Sequence, residues 1–150
     1  MKAIGQGDLA PDFQALDQEG KAVSLAEFRG VKWVVLFFYP KDGSPICTRE
    51  ACHFRDAYEQ FVAAGAEVIG VSGDSTESHR WFAAAHKLPF RLLSDAEGTI
   101  RKSFGVAKTL GVFPGRVTYV IDKQGQVRLV FNSQIEAAKH VSEALGVIQG

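Results

Sequence analysis

The sequence is poor in the residues that build several classes of protein. Two cysteines in 150 residues cannot form a disulfide framework. No window approaches the ~20 consecutive apolar residues of a membrane-spanning helix. Neither sign of charge is in excess, since 17 Lys and Arg balance 17 Asp and Glu. Without a basic cluster to break that balance, an electrostatic search for nucleic acid is excluded. The opening residues MKAIGQGDLAPDF lack the apolar stretch of a secretory signal and carry Asp8 and Asp12. These absences point to a reducing compartment, where a disulfide is transient: the cytoplasm, or an organelle lumen if a transit peptide was removed.

What is present suits one ordinary domain spanning residues 1–150, with 46% hydrophobic and 23% charged residues. A chain this long buries about 68–70% of its unfolded surface and needs no metal or disulfide staple. LDQEGKAVSL (16–25) reads as two short strands around a turn, and Ser24 with Glu27 has capping-box spacing. KWVVLFFY (32–39) is almost continuously apolar, as in a strand covered on both faces. A helix follows to Gly65, then a buried strand at 67–75, with Asp74 expected to cap a helix around STESHRWFAAAHK that Pro89 stops. A loop and short helix at 95–106, a hairpin at 117–131 and an amphipathic helix at 134–148 complete the chain. Strand–helix–strand–helix, then hairpin–helix, is a mixed α/β sandwich with thioredoxin-like connectivity.

The two cysteines stand five residues apart in FFYPKDGSPICTREACHFRD (37–56). Pro40 ends the strand. Ser44 and Pro45 suit the N-cap and first position of a helix, which puts Cys47 in its first turn. There, free N–H groups and the helix dipole favour an anion, so the thiol is held more as thiolate. Wound at ~100° per residue, Cys47 shares a stripe with Ala51, Phe54, Tyr58, Phe61 and Val62, while Cys52 falls on the polar flank. Their Cα atoms are then roughly 8–9 Å apart, and a disulfide spans about 7 Å at most. Simpler readings stand beside the reactive one. Cys47 could be a small core hydrophobe and Cys52 an incidental surface residue. A metal site at Cys47, Cys52 and His53 matches no usual zinc spacing, and no C-x-x-C of thiol–disulfide exchange is present.

The stretch resembles the active site of the peroxiredoxins, whose P-x-x-x-(T/S)-x-x-C is met by Pro40, Ser44 and Cys47. The second cysteine within C-T-x-E-A-C-x-F-R-D resembles the peroxiredoxin Q or bacterioferritin comigratory protein subfamily. So do G-D-x-A-P-D-F at 7–13, Y-P-K-D at 39–42, V-S-x-D-S at 71–75 and L-P-F-x-L-L-S-D at 88–95. The resemblance implies a thioredoxin-like fold and a thiol peroxidase serving antioxidant defence without a cofactor or metal. It makes Cys47 the peroxidatic thiol and Cys52 the resolving thiol. Ser44 would hydrogen-bond the peroxide, Pro40 shield the pocket, Arg116 stabilise the thiolate and Glu50 orient Arg116. The implied partners are a hydroperoxide and thioredoxin or a similar dithiol, with the chain a monomer or weak dimer. Two departures are visible: Ser44 where threonine is commoner, and Ile46 where glycine is usual. From the residues alone, Arg116 and Glu50 are a solvated strand end and an exposed helix charge, and Trp81 is core packing. A redox sensor relaying oxidation to a partner protein, and an inactive thioredoxin-fold binding module, are the alternative functions.

Overall fold

A five-stranded mixed sheet forms the centre of the structure, a computed structural model that describes residues 3–106, 108–109, 113–114 and 116–150. In chain order the elements are β1 (Gln14–Leu16), β2 (Ala22–Ser24), a 3-10 turn (Leu25–Phe28), β3 (Trp33–Phe38), α1 (Pro45–Ala63), β4 (Ala66–Ser72) and α2 (Thr76–His86). Then come β5 (Arg91–Ser94), α3 (Thr99–Phe104), β6 (Lys108–Thr109), β7 (Phe113–Pro114), β8 (Val117–Ile121), β9 (Val127–Asn132) and α4 (Ala137–Gln149). The sheet runs β5-β4-β3-β8-β9, with β3, β4 and β5 parallel and β8 and β9 antiparallel to their neighbours.

The apolar run at 32–39 is the central strand because both of its faces need cover. Val35 and Phe37 point into a core closed by α1, α2 and α4; Val34, Leu36 and Phe38 point into a second core closed by α3 and the N-terminal segment. On the first face, Phe37 stacks on Phe54 of α1 at 4.5 Å between ring centroids. Gly70, paired with Phe37 across the β3–β4 ladder, makes that stacking possible: a Cβ there would stand 2.8 Å from the Phe37 ring and from a Leu92 methyl.

Several expectations are corrected. β5 was not foreseen, because a four-residue strand after Pro89 carries too little pattern. Ser75, not Asp74, caps α2, accepting a bond from the Ser78 amide at 3.1 Å. Lys87, in the left-handed region at φ 52°, ends α2 before Pro89 is reached. α4 starts at Ala137, leaving Ile135 outside it and exposed. Val62, at the margin of the α1 stripe, is 48% exposed, and Trp81 is 61% exposed rather than core.

Candidate active site

β3 and β8 bring the site together. Phe38 at the end of β3 pairs with Val117 at the start of β8, so Arg116, just before β8, lies at the edge where the chain leaves β3 for α1. Ser44 and Pro45 begin α1 as the sequence implies, and Cys47 occupies its first turn, 1% exposed. Both cysteines are free thiols on this one helix, Cys52 only half-buried.

Arg116 is buried, and its guanidinium spends each face on a different partner. Nη2 donates to Cys47 Sγ at 3.2 Å, Nη1 donates to Glu50 Oε1 at 2.7 Å, and Nε donates to the Gln134 carbonyl at 3.2 Å. Its planar fork permits this simultaneous contact with a sulfur and a carboxylate; a lysine ammonium would not hold both in one plane. Burial works against its charge, but Glu50 and then Cys47 outweigh burial, so its pKa is raised. Glu50 is fully buried rather than an exposed helix charge, because α1 turns it inward between Cys47 and Ala51. Desolvation pushes its pKa up to about 7, against the opposing pull of Arg116.

Two further groups complete the site, neither expected from the sequence. His140 of α4 lies 3.4 Å from Glu50 Oε2, and Thr118 of β8 lies 2.7 Å from its Nδ1. Its position on the stripe Ala137, His140, Val141, Ala144 was a usable signal, since it places a polar ring on the buried face of a helix. The second group is a clamp on the loop between β3 and α1. The Tyr39 hydroxyl donates to Asp42 Oδ1 at 2.6 Å, and Asp42 Oδ2 lies 2.7 Å from His79 Nδ1 and accepts from Ser78 Oγ at 2.8 Å. The Asp42 amide donates to Asp74 Oδ2 at 2.8 Å, so the carboxylate expected to cap α2 holds this loop instead. Burial and then Asp42 drive the Tyr39 phenol well above its ordinary pKa.

Ser44 is half-buried, and its hydroxyl donates to the Lys41 carbonyl at 3.1 Å instead of capping α1. Pro40 is half-buried beyond β3, along a cleft of about 350 Å³ shared with Gly73, Asp95 and Arg101. A Cβ at Gly43 would meet the Trp81 ring at 3.6 Å, which sets that exposed indole beside the same loop. Asp42, Asp74 and His79 are also spaced as metal ligands could be, but the hydrogen bonds just given engage all three side chains.

A thioredoxin-like sheet with a buried helix-start thiol facing an arginine defines a class of thiol-based redox proteins. Within it, the chain belongs to the AhpC/TSA family, whose model matches residues 6–130. It is 53% identical over 147 residues to the chloroplastic peroxiredoxin Q of Sedum lineare, covering 97% of this chain and 78% of that one. The chloroplastic peroxiredoxin Q of Triticum aestivum is 51% identical, with 97% and 67% covered. Among solved structures, peroxidoxin BcpB from Mycobacterium tuberculosis is similar at TM-score 0.91 and 37% identity, covering 97% of each chain. Peroxiredoxin Q from Xanthomonas campestris matches at TM-score 0.84 and 31% identity, covering 91% of this chain and 89% of that one. The alkyl peroxide reduction activity of the Xanthomonas campestris bacterioferritin comigratory protein is the subject of another such structure.

Proposed function

We propose that the protein is a thiol peroxidase that reduces hydroperoxides at Cys47 and closes its cycle through Cys52. The observation that carries this reading is the 3.2 Å contact between Arg116 Nη2 and the buried Cys47 sulfur. A core cysteine chosen for packing alone would not sit against a buried guanidinium.

The Cys47 thiolate attacks one peroxide oxygen; an S–O bond forms, the O–O bond breaks, and the departing oxygen takes a proton and leaves as water or an alcohol. Arg116 and the free N–H groups of the first turn of α1 stabilise the charge that develops on that oxygen. In our reading Glu50 holds the guanidinium in plane, Ser44 hydrogen-bonds the peroxide and Pro40 shields the pocket. Cys47 is left as a sulfenic acid. The Cys52 thiol then attacks its sulfur, an S–S bond forms and water departs. Because both cysteines lie on one helix, the first turns of α1 must open for that step. A dithiol reductant, in our reading thioredoxin, restores both thiols by exchange. We read the working unit as a monomer or weak dimer, and the chloroplastic relatives favour an organelle lumen over the cytoplasm.

Steady-state turnover with thioredoxin, its reductase and several hydroperoxides tests the proposal. Wild type should turn over, Cys47→Ser should not react with peroxide, and Cys52→Ser should be oxidised once without recycling. A wild-type protein that forms a stable mixed disulfide with another protein, but does not turn over, would favour the sensor reading instead.

A further inference from the structure

We propose that His140 and Glu50 hold a single buried proton between them, seated on Glu50 Oε2, and that its presence leaves the charge of Arg116 to the Cys47 sulfur. This rests on the peroxidase reading for its consequence, though not for the proton itself.

The assignment follows from counting donors and acceptors. His140 Nε2 faces the Ser133 carbonyl at 2.8 Å; a carbonyl only accepts, so Nε2 carries a hydrogen. Nδ1 lies 2.7 Å from Thr118 Oγ1, for which the described residues offer no other partner. If Nδ1 also carried a hydrogen, the Thr118 hydroxyl would accept it and its own proton would be left unpaired inside the protein. The neutral ring satisfies both contacts: Thr118 donates to the Nδ1 lone pair. That lone pair also looks at Glu50 Oε2 across 3.4 Å. Among the described residues, fully buried Oε2 has no hydrogen-bond partner, while Oε1 takes the whole contact with Arg116. The Oε2 and Nδ1 lone pairs repel without water between them; a proton on Oε2 removes the repulsion and shares the Nδ1 lone pair with the Thr118 hydroxyl as the second and longer of two contacts. Burial displaces both groups in the matching direction, raising Glu50 to about 7 and lowering His140.

Among the described residues, the charged groups around the pair are few. Arg116 at the head of β8 faces both members, and Glu136 beside α4 acts on His140. Cys47 shares Arg116 with Glu50. Thr118 of β8, and Phe131 of β9 with its ring edge-on to His140 at 4.8 Å, close the site with uncharged atoms. With the proton in place, Arg116 balances a Cys47 thiolate and the buried cluster is neutral. Without it, thiolate and carboxylate compete for one guanidinium, and the cluster carries an uncompensated negative charge. Glu50 and His140 are thus positioning residues: they act on the sulfur through Arg116.

Infrared spectra of the reduced protein and of Glu50→Gln test the proton directly. Below neutral pH, wild type should show a protonated-carboxyl stretch that the glutamine variant lacks, and nitrogen NMR should find His140 as the neutral Nε2–H tautomer. Single-turnover oxidation by hydrogen peroxide tests the consequence. Its rate should fall above neutrality, by up to about tenfold per pH unit; Glu50→Gln should abolish that falling limb and His140→Gln should displace it. A purely structural His140 would lower the melting temperature and leave the limb where it was, which counts against the proposal. So do an imidazolium at His140, the absence of the carboxyl band, or the same falling limb in Glu50→Gln. The spectra need no turnover. A protein with both signatures that does not react with peroxide would support the shared proton and sink the peroxidase reading.

Discussion

Arg116 is the residue on which the site turns, and its removal has two separable effects. Arg116→Ala takes the guanidinium from Cys47 and strands the fully buried Glu50. Breaking a buried pair costs about 3–5 kcal/mol when the remaining charge stays uncompensated. Below neutral pH Glu50 already carries a proton and avoids most of this, so a loss of about 1–3 kcal/mol is expected, from the hydrogen bond that Oε1 loses. Peroxide reduction should slow by orders of magnitude. Adding Glu50→Gln to Arg116→Ala should recover stability and not rate, as urea melts and stopped-flow oxidation would reveal. Arg116→Lys keeps the charge without the fork and should rescue the rate only in part. Glu50 also makes stability depend on pH. Its folded pKa of about 7 lies above its ordinary 4.5, so the folded state binds the proton more tightly. The stabilisation is fully present below about 4.5 and is lost as pH rises to about 7, a swing of up to about 3 kcal/mol. Glu50→Gln should flatten that slope; an equal slope in the variant would remove Glu50 as its source.

At the scale of elements, α1 has to be firm at one end and able to open at the other. Its far end is anchored by Phe54 on Phe37 and by Phe61, both inaccessible to solvent. Gly70 keeps that anchor in place, since a methyl there collides with the Phe37 ring and Leu92. Gly70→Ala should therefore cost about 1–3 kcal/mol by overpacking, without touching the cysteines. The near end is held by backbone hydrogen bonds, each worth a net ~0.5–1.5 kcal/mol, by the clamp on the preceding loop and by the contacts of Cys47 and Glu50 with Arg116, which must break for it to open. Tyr39→Phe keeps the packed ring and deletes the bond to Asp42. It should lower stability by about 1–3 kcal/mol, because the partner is a buried carboxylate. Hydrogen exchange would show the helix opening: amides near 47–53 should lose protection on oxidation, while those of β3 and β8 keep theirs. Equal protection at 47–53 in both states would contradict an opening helix.

For the whole molecule, legibility in the sequence followed the range of the interaction. β3 could be read because a strand covered on both faces is apolar at every position, and the start of α1 because Ser44-Pro45 is a local signal. β5 could not, being four residues that become a strand only by pairing with β4. Cys47 was visible from its position in the helix. Arg116, at the head of β8, reaches it directly, while Glu50 of α1 and His140 of α4 follow behind Arg116 in a chain of contacts that no spacing encodes; only resemblance to relatives brought the first two forward. The clamp was obscured because Asp74 has a competing local role as a helix cap, which Ser75 takes instead. What unites these pieces is one claim, that Cys47 reacts with peroxide and passes its oxidation to Cys52 in the same chain. One equivalent of hydrogen peroxide added to the fully reduced protein, followed by mass mapping of its thiols, tests it most directly. The expected product is monomeric with a Cys47–Cys52 disulfide, and carries a sulfenic acid at Cys47 when Cys52 is serine. A reduced Cys47 after that treatment, or a disulfide joining two chains, would contradict it.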